Sequence, residues 1–309
     1  MWSRIEFGKP SGMTPRVSVY IPCYNAEPWL ERVLKAVFAQ SLRPAEVLVV
    51  DDASQDRSVE IASRFPVTLI RQDRNRGLAA ARNAAMRAAR NELVAALDAD
   101  VVPECEWLER LAPRFAGVRV ALGGGKLVES VDRRVADRWR AVHLRQHWGD
   151  EPIENPGFVF GANTLAWRSA VLEVGGYDER LRTNGEDADM SVRLRRGGWN
   201  TFYEPAAHCR HLREDTVRTA LTTFWRYRRD FFEPMTPHRM WRMFRYQHIG
   251  SARHVLGQDL RAGRYEFLGM DALLLLASSW NDAKSWLSAD SVPTGEPSQA
   301  AKSSSEVTS

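Results

Sequence analysis

A short apolar stretch that ends in two aspartates constrains the fold of this chain more than any other feature. The apolar run Leu93–Leu97 has the length of a buried strand, and Asp98 and Asp100 follow it directly. Hard divalent cations such as Mg²⁺ and Mn²⁺ bind oxygen ligands, commonly one or two carboxylates together with substrate phosphates. The two aspartates therefore indicate either a metal–diphosphate site at a strand end or an ordinary aspartate-rich turn.

The alternation of elements before this stretch predicts the fold class. Apolar strands are expected at residues 16–22, 46–50, 67–70 and 93–97, and helices with an apolar face are expected between them. This order is typical of a parallel sheet that helices cover on both faces. We therefore predict an α/β protein with a Rossmann-like, mostly parallel sheet.

Polar side chains follow three of these strands, and ligands of such sheets bind beyond the carboxyl ends of the strands. The residues concerned are Tyr24 and Glu27 after the first strand, Asp51 and Asp52 after the second, and Asp98 and Asp100 after the fourth. We expect these side chains to converge on one ligand site.

The second part of the chain predicts further elements that complete the sheet. A helix is expected at 104–115, a strand at 158–167, a helix ending at Arg196, and a final short strand at 201–203. Residues 126–157 are expected to form a helix and a loop over the cleft. A short strand is expected to end at Gly123–Gly125, and these glycines do not form GxGxxG, so they support no dinucleotide site. The absence of GxGxxG after the first strand argues against a dehydrogenase.

The segment Arg213–Arg264 is basic and rich in aromatic residues. It contains eleven arginines, no lysine and five acidic residues, a net charge of +6 against +4 for the whole chain. We predict helices here up to about Leu287, with Arg239, Arg242 and Arg245 along one face and Met240, Trp241 and Phe244 on another. Such a segment suits either peripheral contact with an anionic membrane or simple packing as a helical cap on the catalytic domain.

The three cysteines show no paired spacing, which favours reduced thiols and an intracellular setting. The amino-terminal residues lead into no signal-peptide pattern, and no apolar stretch reaches the length of a membrane span. We therefore expect a cytoplasmic protein with contact limited to the inner membrane face, and no nucleic-acid partner.

Six stretches together resemble the family 2 glycosyltransferases, which have the GT-A fold and transfer sugars from nucleotide donors. They are VSVYIPCYNAEPWLERVLKAV, EVLVVDDASQDRS, NRGLAAARNAAMRAA, LVAALDADVVP, GANTLAWRSAVLEVGGYDERL and GEDADMSVRLRRGG. The resemblance implies a GT-A catalytic domain at 16–211, with a nucleotide-sugar half up to about residue 103 and an acceptor half from about 104. The remaining predicted parts are a leader (1–15), a helical extension (212–287) and a disordered tail (288–309).

The resemblance also implies roles for individual residues around a nucleotide-diphosphate sugar and Mn²⁺ or Mg²⁺. Pro22, Tyr24, Glu27, Asp51 and Asp52 would surround the nucleoside, Arg82 would lie near the base or the phosphates, and Asp98 would lie at the ribose or sugar. Asp100 would bind the metal. His211 would be a further metal ligand, with His208 as the competing choice.

The acidic pair Glu186 and Asp187 opens a predicted helix. An inverting transfer needs a base that takes the proton of the acceptor hydroxyl, and a carboxylate performs this task in inverting sugar chemistry. The resemblance implies Asp187 as that base and Glu186 as its orienter or as an acceptor ligand. The alternative is that both acids only stabilise a helix N-terminus through the macrodipole.

These features predict a metal-dependent inverting glycosyltransferase that acts on a hydroxyl of a glycan, glycolipid or lipid-linked acceptor. One alternative is a sugar-nucleotide pyrophosphorylase, but the first loop is Pro-Cys-Tyr-Asn and not a glycine-rich phosphate loop with a basic residue. The other is a non-catalytic nucleotide-sugar-binding protein, which would need neither the Asp-x-Asp nor the Glu-Asp pair.

Overall fold

The computed structural model describes residues 15–117, 119–182, 184–228 and 236–287. The chain divides into two compact units, of which the first comprises the residues up to Leu127 together with His147–Cys209. The second comprises Val128–Gln146 and the residues from Arg210 onward. The predicted leader, apart from its last residue, and the predicted disordered tail lie outside the described residues. The predicted boundary at residue 211 lies two residues beyond the first unit, and residues 128–146 pack with the second unit.

Within the described residues, nine strands form one mixed sheet in the order β3-β2-β1-β4-β8-β6-β9-β5, with β7 paired to β9. They are β1 Val17–Cys23, β2 Glu46–Asp51, β3 Thr68–Arg71, β4 Leu93–Leu97, β5 Val101–Pro103, β6 Val120–Glu129, β7 Ile153–Glu154, β8 Asn163–Trp167 and β9 Asn200–His211. The α-helices are α1 Leu30–Phe38, α2 Ser58–Ala62, α3 Leu78–Ala88, α4 Trp107–Leu111, α5 Val135–His143, α6 Arg168–Glu173, α7 Glu186–Arg196, α8 Val217–Arg228, α9 Pro237–Arg242, α10 Ile249–Arg261 and α11 Leu268–Leu287.

The predicted parallel part of the sheet is present as β3-β2-β1-β4, whose strands are all parallel. Their carboxyl ends meet at one edge, where Cys23 pairs with Asp51. The next strand, β8, is antiparallel to β4 and places Asn163 opposite Leu97. As a result the loop before β8 lies against the end of β4, and the Asp98 N–H donates to the Ala162 carbonyl at 3.0 Å.

Apolar side chains cover both faces of β1, β2 and β4, whereas the edge strand β3 is partly exposed. Tyr20 and Leu48 belong to a buried cluster with Met86 of α3 and Met190 of α7. The neighbouring strand residue Val19 is also fully buried. Because successive strand residues point to opposite faces, burial of both neighbours means that neither face is exposed to water.

Two predicted strands continue well beyond the predicted ends. The strand expected to end at Gly123–Gly125 runs on as β6, because these glycines lie inside the sheet. A Cβ on Gly123 would lie 2.1 Å from the Phe202 ring, and one on Gly125 would lie 2.0 Å from the Ala207 carbonyl oxygen. The strand expected to stop at Tyr203 continues through Pro205 as β9, with exposed and buried residues alternating up to His211.

Two other expected boundaries also differ. The helix expected at 104–115 is α4 followed by a 3₁₀ segment at Ala112–Ala116, which carries Pro113 near its start. The strand expected from Phe158 begins only at Asn163, and residues 158–162 form the loop beside Asp98.

The second unit is helical and has its own core. Trp139 of α5, Phe224 of α8, and Phe267 and Leu274 near and in α11 belong to one buried cluster. Helix α9 continues as a π-helical turn at Met243–His248.

The three arginines predicted along one face of the Arg239–Arg245 segment differ in burial. Arg239 is buried, whereas Arg242 and Arg245 are exposed, and Trp241 and Phe244 are 56% and 40% exposed. The α-helical turns end at Arg242, and the π-helical turn that follows departs from the 3.6-residue period. Among the described residues, no helix is long and apolar enough to cross a membrane.

Candidate active site

The two aspartates after β4 lie at the edge of the sheet that the sequence predicts. Both are partly exposed, and the Val101 N–H donates to the Asp98 carbonyl at 3.0 Å, which closes a tight turn around Asp100. Partly exposed carboxylates at a strand end have the donor chemistry that Mn²⁺ or Mg²⁺ requires. The residues present therefore fit a divalent cation.

Beside these aspartates lies an arginine that is buried inside the first unit. The side chain of Arg82 on α3 is 1% exposed. Its Nη1 donates to the Gly161 carbonyl at 2.8 Å and its Nη2 to Asp98 Oδ1 at 3.1 Å. Its Nε lies 3.5 Å from Glu186 Oε1. Arg82 thus joins the loop after β4, the loop before β8 and the start of α7.

The predicted place of Arg82 near the donor's base or phosphates stays a prediction. In the structure its guanidinium faces Asp98, Glu186 and the Gly161 carbonyl.

The acidic pair at the start of α7 occupies two different environments. Glu186 is 3% exposed, whereas Asp187 is only half-buried. Asp187 Oδ2 accepts the Gly161 N–H at 2.9 Å, and Oδ1 accepts the Ala188 N–H at 2.8 Å. These two hydrogen bonds fix the Asp187 carboxylate at the edge of the buried network.

Burial and the negative charge of Asp187 raise the pKa of Glu186 to about 8, and the Arg82 guanidinium offsets this only in part. Arg82 is shared between the buried Glu186 and the partly exposed Asp98, and it makes its closer contact with Asp98. Glu186 therefore keeps a proton at neutral pH, and Asp187 is the member of the pair that is accessible for chemistry.

Two further residues, Gly161 and Asn83, shape this site, and the sequence did not indicate a role for them. A Cβ on Gly161 would lie 2.9 Å from Arg82 Nη2 and 3.2 Å from Asp187 Cβ, so a larger residue would have to displace the Arg82 guanidinium. Asn83 of α3 accepts the Tyr177 N–H at 2.7 Å and donates to the Tyr177 carbonyl at 2.8 Å. These partners are 79 and 94 residues apart in the chain, so no local pattern connects them.

The residues predicted around the nucleoside in and after β1 differ in their exposure and contacts. Pro22 is buried within β1, whereas Tyr24 is 50% exposed just after it. The Arg57 side chain donates to Glu27 at 2.8 Å, and this contact holds the pKa of that carboxyl below its usual range. Tyr24 is thus presented to solvent, while Glu27 already has a cationic partner.

The two aspartates after β2 also differ. Asp52 is buried and accepts the N–H groups of Arg76 and Gly77 at 2.7 and 2.8 Å, so it holds the loop before α3. Asp51 is 1% exposed, and its Oδ2, which makes no hydrogen bond within the described residues, lies 3.9 Å from Arg71 Nε. The two acids thus have different partners, and their roles at a nucleoside stay predictions.

The two candidate histidines on β9 differ in burial. His208 is exposed, and its carbonyl accepts the Glu104 N–H at 3.0 Å. His211 is 4% exposed, and its Nδ1 lies 3.0 Å from both carboxylate oxygens of Glu129, which also accepts from Arg140 at 2.9 Å. Histidines that bind metals usually have such a carboxylate on the other ring nitrogen. This favours His211 over His208, and the metal role itself stays a prediction.

The fold and this site define a class, the glycosyltransferases of the GT-A type. Residues 18–173 match the family model for glycosyl transferase family 2. The chain belongs to that family, as the six motifs predict, and this argues against the pyrophosphorylase and dehydrogenase alternatives.

Several known proteins are similar to this chain. A pre-mycofactocin glycosyltransferase from Mycobacterium tuberculosis is 33% identical over 212 residues, 65% of this chain and 44% of that protein. Glycosyltransferase AglE from Haloferax volcanii is 30% identical over 205 residues, 63% of this chain and 66% of that protein. The chain thus spans less than half of the first relative.

Solved structures share the fold. A mannosyltransferase from Pyrobaculum calidifontis in complex with GDP-Man and Mn²⁺ aligns with a TM-score of 0.54 at 21% identity, over 96% of this chain and 80% of that one. A structure of GalNAc-T7 with UDP, GalNAc and Mn²⁺ aligns with a TM-score of 0.53 at 18% identity, over 68% of this chain and 48% of that one. These neighbours confirm the GT-A fold.

Proposed function

We propose that this chain transfers a sugar from a nucleotide-diphosphate donor to a hydroxyl acceptor, with inversion at the anomeric carbon and with Mn²⁺ or Mg²⁺. The observation that carries the proposal is the buried Arg82, which contacts both Asp98 after β4 and Glu186 at the start of α7. The predicted donor site and the predicted base are thereby held in one network. A protein that only binds nucleotide sugars would not need this link.

Asp100 and Asp98 would hold the metal and the donor, and Asp51 Oδ2 would accept an N–H of the base. A divalent cation supplies electrostatic stabilisation of the leaving diphosphate. Both the Mn²⁺ and the nucleotide sugars in the neighbouring structures support this assignment.

Asp187 would take the proton of the attacking hydroxyl. Its carboxylate is oriented by the Gly161 and Ala188 N–H groups, and each oxygen retains a further lone pair. Glu186 would not contact the acceptor, since it is buried behind Asp187. Its role would be to hold Arg82, which in turn orients Asp98.

The names of several relatives support a lipid-linked acceptor. One is an N-acetylglucosaminyl-diphospho-decaprenol L-rhamnosyltransferase from Mycobacterium tuberculosis, 29% identical over 236 residues. We propose a polyprenyl-linked or cell-envelope glycan acceptor for this chain. The test is a screen of UDP-, GDP- and dTDP-sugars with such acceptors, read by release of the nucleoside diphosphate. Donor binding without transfer to any acceptor would instead favour the non-catalytic alternative.

The metal assignment gives a prediction for Asp100. Asp100→Asn keeps the size of the side chain but removes a charged ligand, so we expect the Mn²⁺ concentration for half-maximal turnover to rise by about 10–100-fold. The measurement is a Mn²⁺ titration of transfer by the EDTA-treated enzyme. Asp132→Asn, a change in an exposed loop of the second unit, is the control. Full turnover in EDTA would contradict metal dependence.

We also propose that the second unit contacts an anionic membrane through an aromatic–arginine surface formed by Trp241, Arg242, Phe244, Arg245 and Tyr246. Tyr246 is 69% exposed, and Arg245 Cζ lies 5.7 Å from the centre of the Trp241 ring. Exposed aromatic rings suit the lipid interface, and each arginine adds about 1 kcal/mol near an anionic surface.

Replacing both Arg242 and Arg245 by glutamine should therefore weaken vesicle binding by about 30-fold at low salt. Co-sedimentation with phosphatidylglycerol-containing vesicles measures this. The control is Arg64→Gln with Arg110→Gln, which removes two exposed arginines of the first unit. If both double variants lose vesicle binding equally, the loss is due to net charge, and the proposal of a specific membrane-binding surface is contradicted.

A further inference from the structure

Three buried side chains with metal-binding groups meet inside the second unit. They are His143 at the end of α5, Asp259 near the end of α10 and Asp271 in the first turn of α11. One ligand atom of each lies within 4.8 Å of the others. The side chains of His143 and Asp259 are 3% and 0% exposed, and Asp271 is 2% exposed. Each ligand comes from a different helix.

Both aspartates have one oxygen fixed by a neighbour outside the group of three. Arg264 Nε donates to Asp259 Oδ1 at 2.7 Å, and Trp139 Nε1 donates to Asp271 Oδ1 at 2.9 Å. The second oxygen, Oδ2, of Asp259 lies 2.8 Å from His143 Nε2. Supporting hydrogen bonds of this kind orient the ligands of metal sites and hold their carboxylates in place.

The second oxygen of Asp271 provides an independent sign of a missing ligand. Asp271 Oδ2 is buried and has no hydrogen-bond partner among the described residues. A buried carboxylate oxygen without a hydrogen-bond partner is costly. A cation at this point would remove the cost.

We propose that His143, Asp259 and Asp271 bind one zinc ion that joins helices α5, α10 and α11. Two carboxylates balance the charge of the ion, and an imidazole nitrogen favours zinc over Mg²⁺ or Ca²⁺. Zinc–ligand bonds of about 2.0–2.2 Å place tetrahedral ligands about 3.3 Å apart. The ligand atoms lie within 4.8 Å of one another, so the widest pair would close by at most about 1.5 Å. His143 Nε2 and Asp259 Oδ2, now 2.8 Å apart, would separate by about 0.5 Å. This structural site is separate from the catalytic metal proposed at Asp100.

Helix α11 carries a second buried aspartate, and both of its carboxylate oxygens have hydrogen-bond partners. Asp282 is 1% exposed, and its Oδ1 accepts from Trp225 Nε1 at 2.7 Å while its Oδ2 lies 2.6 Å from His248 Nε2. Like Asp271 it contacts a tryptophan, but both of its oxygens have partners. Asp282→Asn is therefore the matched control for Asp271→Asn.

The experiment uses the full chain carrying Asp100→Asn, so that the proposed catalytic site does not contribute. After EDTA treatment, Zn²⁺ is added, and bound metal is measured by mass spectrometry, affinity by calorimetry, and Tm by thermal unfolding. We expect one zinc per chain and a Tm rise of about 5 °C or more at a hundredfold excess of zinc over Kd. Asp271→Asn should weaken zinc binding by about 100-fold or more, and Asp282→Asn should leave it unchanged.

Three results would overturn the proposal. The first is no stoichiometric zinc in the parent protein, and the second is equal zinc affinity in the Asp271→Asn and Asp282→Asn variants. The third is a zinc-independent rise in Tm for Asp271→Asn, which would mean that Asp271 and Asp259 share a proton instead of a metal. If Asp271→Asn does not fold, His143→Gln takes its place, because glutamine can still donate to Asp259 but is a poor zinc ligand.

Discussion

Replacing Asp187 with asparagine is expected to lower kcat by about 10²–10⁴-fold while donor affinity stays nearly unchanged. Asparagine keeps the shape of the side chain, and its carbonyl oxygen can still accept the Gly161 N–H. It cannot take a proton from the acceptor hydroxyl. Calorimetry of donor binding and the rate of transfer, measured on the same preparation, separate these two properties.

The comparison with Glu186→Gln decides which carboxylate is the base. Glu186 is buried and holds a proton at neutral pH because its pKa is raised to about 8, so the neutral glutamine resembles its resting state. We therefore expect a smaller loss of kcat, caused by altered positioning of Arg82. Normal turnover of Asp187→Asn together with an inactive Glu186→Gln would assign the base to the other residue.

The same pair of variants tests the simpler view that these acids only favour a helix N-terminus. Asparagine stabilises a helix start about as well as aspartate does. On that view Asp187→Asn would turn over normally and lose little stability. A large loss of kcat with an unchanged Tm therefore supports catalysis specifically.

The parallel part of the fold was predictable because its strands are continuous apolar runs. Buried parallel strands carry side chains into apolar surroundings on both faces, so each of them stands out from the amphipathic helices around it. The polar strand ends could be located for the same reason. Asp51, Asp98 and Asp100 lie where the end of an apolar run places them.

The lengths of β6 and β9 could not be predicted, because glycine and proline normally interrupt strands. Here Gly123 and Gly125 make room for Phe202 and for the Ala207 carbonyl of the neighbouring strand. That requirement arises only when two distant segments are paired. Local propensity therefore gave the wrong ends for both strands.

The sequence also could not predict which contacts each of two neighbouring acids makes. Asp51 and Asp52 are adjacent and chemically identical, yet only Asp52 faces the Arg76 and Gly77 N–H groups. Alternation along the chain sends the two side chains in different directions. Asp52 meets N–H groups 24 and 25 residues later, whereas Asp51 accepts the Ser54 N–H and lies near Arg71.

The buried Arg82 gives the second large prediction, a loss of stability that grows with pH. Arg82→Met keeps an unbranched side chain of similar length but leaves Asp98, Glu186 and the Gly161 carbonyl without their donor. Removing one partner of a buried ion pair costs about 3–5 kcal/mol of unfolding free energy. The exposed pair Arg110–Glu106 is the control, and Arg110→Met should cost less than about 1 kcal/mol.

The pH dependence of the free energy of unfolding follows from Glu186, the buried carboxyl beside Arg82. The pKa of Glu186 is about 8 in the folded chain against 4.5 for a free glutamate, so the folded state binds more protons between these values. The free energy of unfolding therefore falls as the pH rises through this window. Without Arg82 the ionised Glu186 carboxylate has no cation beside it, so the pKa of Glu186 rises further. The free energy of unfolding then continues to fall up to a higher pH.

Urea unfolding of the wild type and of Arg82→Met should accordingly differ more at about pH 9 than at about pH 6, where Glu186 is protonated in both. Adding Glu186→Gln to Arg82→Met removes the titrating group and should recover the part of the loss that depends on pH. The remaining part then measures the lost contacts to Asp98 and the Gly161 carbonyl. If Arg82→Met loses the same free energy of unfolding at both pH values, Arg82 acts by packing alone. The proposed charge link between the donor site and the base would then be wrong.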